Sequence, residues 1–165
     1  MKKKMMFSLL ALTASFFGVL PVLLAGSVAT QSASYEIQAI NEVSLSAASI
    51  TLTISEATAG SEPTDATGSS SYDITTNCAT DGKILTAKLD SAMPSNTELK
   101  ATFAAPTGGV SAGEVILTAS AQNVVTAIDA VAESDLSIAY TLTGTVAAGI
   151  VAADTKTLTL TLTDS

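Results

Sequence analysis

The 165-residue sequence has no histidine, no arginine and no tryptophan, one cysteine, and aromatic residues at only 4%. Without imidazole there is no Ser-His-Asp or Cys-His catalysis, no histidine-bound zinc, and no side chain whose ordinary pKa suits it to shuttle protons near neutrality. Without guanidinium there is no bidentate clamp on phosphate. The only cationic side chains are seven lysines, three of them at Lys2, Lys3 and Lys4, so a basic nucleic-acid-binding surface is excluded. A lone Cys78 rules out an intrachain disulfide and any paired-cysteine metal or redox motif. The composition points away from an enzyme: no catalytic residue, cofactor-binding residue or metal ligand is assigned, and no cofactor is expected.

What is present begins with a tripartite N-terminus. Lys2–Lys4 precede an apolar run from Met5 to Ala25 and then the small residues Gly26, Ser27, Val28 and Ala29. This order is that of a secretory signal peptide, with cleavage expected after Ala29 or, as a competing cut, after Ser27. Pro21, Gly18 and Gly26, with polar Thr13 and Ser15 inside the run, favour cleavage over an uncleaved membrane anchor. Leu23–Gly26 is similar to the start of a lipoprotein box, but Ser27 stands where the lipidated cysteine belongs. Residues 1–29 therefore read as the signal and residues 30–165 as one exported domain, destined for the cell surface, the extracellular space or the periplasm. Cleavage leaves four lysines against fifteen acidic residues, a formal charge of −11. That charge keeps the chain soluble and repels anionic membranes and nucleic acid.

From Tyr35 onward the dominant signal is a period of two. In Thr157–Thr163 leucines 158, 160 and 162 alternate with threonines, which a strand gathers onto two faces and a helix would scatter. Branched threonines also fit a pleated surface. The same alternation predicts strands at Ile50–Ser55 and Leu136–Thr143, and shorter ones at Leu99–Phe103 and Val115–Thr118. Asp81-Gly82 suits a tight turn, so Tyr72–Thr80 is expected to form a hairpin with Lys83–Leu89. Loops are predicted at 60–71, 93–96, 106–113 and 146–154, and residues 121–135 are ambiguous, Asn123–Ala132 reading as a strand or a short helical turn. About seven to nine short strands predict an all-β fold, a single antiparallel immunoglobulin-like β-sandwich. Its core must be aliphatic, because only Tyr35, Tyr72, Phe103 and Tyr140 follow the signal, and the Trp and cysteine pair of antibody domains are missing.

Few side chains suggest chemistry. Cys78 reads either as a small buried hydrophobe or as an intermolecular disulfide partner. Glu56, Glu62, Asp65 and Asp73 flank one loop, but their spacing matches no calcium loop, and the scarcity of aromatics argues against a sugar-cleaving acid pair. The glycine-rich stretch Thr107–Gly113 lacks the Lys-Ser/Thr ending of a phosphate loop and reads as a turn.

The signal, the length of the mature chain, the Thr-rich strands and the alternating Ser34-Tyr35-Glu36-Ile37-Gln38-Ala39-Ile40 together resemble bacterial fimbrial and spore-coat-like exported subunits with immunoglobulin-like sandwiches. The resemblance implies a structural protein in which each subunit lends an N-terminal strand to its neighbour. Tyr35, Ile37 and Ala39 would then enter a partner's groove, and Cys78 is a further candidate for self-assembly through a cross-link. The flexible Ala-Ser stretch Ser44–Ser49 leaves the first segment free either to fold back or to be donated. The alternative is a monomeric extracellular binding module for a glycan or another surface protein, with loops 60–71 and 106–113 as its binding surface. Expected partners are thus copies of itself or another surface protein, with no nucleic acid and, after signal cleavage, no membrane.

Overall fold

The computed structural model describes residues 27–78 and 82–165; the lysines and apolar run of the expected signal, and Asp81 of the expected turn, lie outside them. The chain divides after Glu36. Residues 27–36 are exposed and form no helix or strand. Ile37–Ser165 is all-β, with nine strands among the described residues: β1 Asn41–Leu45, β2 Ala66–Thr76, β3 Lys83–Leu89, β4 Thr97–Phe103, β5 Val110–Ser111, β6 Glu114–Ile116, β7 Gln122–Ile128, β8 Val131–Gly144 and β9 Leu158–Asp164. A single turn of 3₁₀-helix spans Val146–Ala148. No helix among the described residues is long and apolar enough to cross a membrane.

The strands pair antiparallel in two sheets, ordered β1-β2-β8-β4-β6 and β5-β7-β3-β9. One core joins them: Tyr72, Ile74, Ala101, Phe103, Ile138 and Tyr140 from the first sheet meet Leu85, Ala87, Leu89, Val124, Val125 and Ile128 from the second. This is the expected β-sandwich, with alternate residues turned inward in β3, β4 and β9. Tyr72 and Phe103 meet edge to face, with ring centroids 6.1 Å apart. In β9, Leu158, Leu160 and Leu162 pack against the core while the threonines between them are exposed.

Four local expectations are corrected. β2 and β3 do not form a hairpin: β2 pairs with β1 and β8, β3 with β7 and β9, so the connection through residues 77–82 crosses between sheets. Gly82 does take the positive φ of 53° that a tight turn favours, but a turn residue does not choose the partner strand. Residues 66–71, expected as loop, open β2; their Gly and Ser side chains are turn-like in composition, yet they complete a ladder with β8. Ser44 and Leu45, expected in a flexible stretch, belong to β1. Ile50–Ile54 joins no strand at all, although its residues alternate between half-buried and exposed as a strand's would.

Residues 121–135 resolve into β7 and the start of β8, and their ambiguity has a cause. The β3–β7 register slips so that Leu85 faces Val125 while Thr86 faces Asn123, which buries the adjacent Val124 and Val125 and breaks the alternation. A second irregularity lies opposite Tyr72 and Ile74, where Asp135 takes φ 59° and its N–H donates to Asp73 Oδ1 at 2.9 Å.

Candidate functional site

Two features at opposite ends of the β2–β8 pair stand out. At the Thr76 end, the chain that precedes β1 is clamped by Asn77. The Ile40 N–H donates to Asn77 Oδ1 at 2.8 Å, the Asn77 side-chain amide donates to the Gln38 carbonyl at 2.8 Å, and the Asn77 N–H donates to the Ile40 carbonyl at 3.2 Å. Asn41 Oδ1 accepts from Thr76 Oγ1 at 2.8 Å, and that oxygen accepts from the Cys78 N–H at 3.2 Å. These bonds fix residues 38–41 in direction and leave the preceding side chains without cover. Ile37 is 82% exposed and Ala39 is exposed. Tyr35, before the division of the chain, is 94% exposed.

At the other end, where Ala66 faces Leu142 and Thr97 faces Gly144, lies a groove of about 630 Å³. One wall is Ile50–Ile54, the other Val151–Lys156, and Met93, Leu142 and Gly144 form its floor. Local sequence explains the walls. Gly68 points inward without a side chain, and Leu52 occupies the space: a Cβ built there would stand 2.9 Å from Leu52 Cδ2. Ile54 similarly lies 3.4 Å from where a Cβ of Gly144 would be. Small residues on the sheet therefore let Leu52 and Ile54 pack from a segment whose backbone has no ladder partner among the described residues. The facing wall is held by side chains, with Lys156 Nζ 2.8 Å from Asp154 Oδ2 and 3.1 Å from Ser91 Oγ. That ion pair and the Thr155 N–H hold the Asp154 carboxyl below its usual range. Beside the groove Val146, Ile150 and Val151 are exposed apolar residues.

Of the four sequence-predicted self-assembly residues, Tyr35, Ile37 and Ala39 are displayed to solvent, and Cys78 is half-buried with a free thiol beside the Asn77 clamp. The acidic residues that flank the 60–71 region are not gathered. Glu62 Oε2 accepts from the Val146 N–H at 2.7 Å, Asp73 supports the Asp135 bulge, and no metal-holding cluster occurs among the described residues. Within 107–113, Gly109 N–H closes a turn on the Pro106 carbonyl at 2.9 Å, and Val110–Ser111 add β5 to the edge of the second sheet.

Sequence reasoning missed Asn77 and the groove. The signal for the groove was Ile50–Ile54 itself, a strand-like alternation with no hairpin partner beside it. For Asn77 no sequence pattern exists, because its three bonds reach back 37 to 39 residues. No protein-family model, no curated protein and no solved structure matches the chain.

Proposed function

We propose that the chain is an exported structural subunit that assembles with copies of itself by lending its alternating segment Ser34–Ile40 as a strand. The observation that carries this reading is the display of Tyr35, Ile37 and Ala39 just ahead of a clamp that fixes the chain's exit. Apolar side chains left in water favour burial against another surface, and an alternating segment outside any strand is suited to completing a sheet. The Lys2–Lys4 segment and the apolar run behind it support export, and the acidic mature chain suits a subunit that must stay soluble until it assembles.

Ile37→Asp tests the reading. Ile37 lies in solvent in the single subunit, so the substitution leaves its melting temperature unchanged. In an assembled strand it puts an unpaired carboxylate in an apolar site, at a cost of several kcal/mol, roughly the range for an uncompensated buried polar group. Size-exclusion chromatography is expected to show polymers for the wild type and monomers for the variant. A wild type that stays monomeric at high concentration contradicts the proposal.

A further inference from the structure

We infer that the groove walled by Ile50–Ile54 and Val151–Lys156 receives the Tyr35–Ala39 row of a second copy, so that subunits join head to tail; this rests on the strand-lending reading above. Three observations carry it. Neither wall has a ladder partner for its backbone among the described residues, so an entering strand finds hydrogen-bonding groups on either side. The groove offers Leu52, Ile54, Met93 and Leu142 to apolar side chains arriving at every second position, and the exposed Val146 and Ile150 extend that surface outside it.

The third observation is reach, and it decides which copy donates. Ile40 is clamped to Asn77 beside Thr76, whereas the groove lies at the Gly68 and Gly144 end of the same sheet. Eight residues of β2 separate Thr76 from Gly68, about 26 Å at the usual rise of a strand. Ile37 is three residues from Ile40, and three residues of fully extended chain cover at most about 11 Å. Ile37 and Ala39 therefore do not reach the groove of their own chain. Donor and acceptor at opposite ends make the contact heterologous, and such a contact repeats into open filaments or closed rings.

Disulfide trapping tests the pairing. In the full chain with Cys78→Ser, Ile37→Cys is combined with Val151→Cys at the groove or, as a control, with Ile116→Cys on the edge strand β6; all three replaced apolar residues are exposed, so folding is preserved. After assembly is checked by electron microscopy, mild oxidation is expected to give a ladder of covalent multimers on a non-reducing gel for the groove pair and little for the control. Polymers that form without a ladder at the groove pair, or with equal ladders for both pairs, overturn the groove as acceptor and leave self-assembly standing. The absence of polymers from every chain, wild type included, overturns both.

Discussion

Tyr72 shows how one side chain serves two needs in a core that is mostly aliphatic. Its ring fills the space beside Phe103, and its hydroxyl donates to the Ala104 carbonyl at 2.6 Å. Burial, with a smaller contribution from the Glu133 carboxylate, pushes its pKa up to about 12. The folded chain holds this proton more tightly than the unfolded one, so the stability it contributes is full below pH 10 and falls as pH rises from there to about 12. Alkaline titration followed by circular dichroism is expected to show unfolding set in within that window, and Tyr72→Phe to flatten the loss. At neutral pH the same substitution orphans the Ala104 carbonyl, at a cost of about 1–3 kcal/mol. On β9, Leu160→Ala is expected to cost about 2 kcal/mol, the lower end for a leucine truncation because the site is half-buried, and Thr159→Ala under about 0.5 kcal/mol. Urea melts check both; equal losses would mean that the leucine row does not face the core.

Strands that announce themselves in sequence are those whose burial alternates without interruption. β9 and the Leu136–Tyr140 part of β8 do so, and were legible. Irregular elements were not, because a register slip buries two neighbours in β7 and glycine and serine open β2. Pairing was less legible than strand position: Gly82 takes a positive φ, but whether the next strand joins the same sheet depends on contacts remote in sequence. Ile50–Ile54 marks the same boundary from the other side, having the pattern of a strand and the packing of one, with no ladder. Its attachment rests on space at Gly68, so Gly68→Val is expected to push Leu52 out and loosen the segment. Hydrogen exchange across residues 47–56 should rise, and Leu52→Ala in the same chain should restore part of the lost stability. Unchanged exchange and additive losses would show that Leu52 does not depend on the missing side chain.

For the whole molecule, the alternation of Tyr35, Ile37 and Ala39 was legible in sequence, but the groove was not. The groove is a property of the fold: β1 ends at Leu45, β9 begins only at Leu158, and the chain beside each has no ladder partner among the described residues. Charge bears on the proposed assembly as well. With fifteen acidic residues against four lysines in residues 30–165, two copies repel one another at low ionic strength, and salt screens that repulsion within about 10 Å at 0.1 M. Raising salt from about 10 mM to about 100 mM, which shortens the screening length about threefold, is therefore expected to speed polymer growth followed by light scattering. Growth slowed by salt would instead place attractive charge pairs at the junction. The most direct measurement is electron microscopy of the protein, purified and concentrated at moderate salt, beside a chain lacking residues 30–39. Strand lending predicts unbranched filaments or closed rings from the first and single particles from the second. Single particles from both, or identical polymers from both, would contradict it.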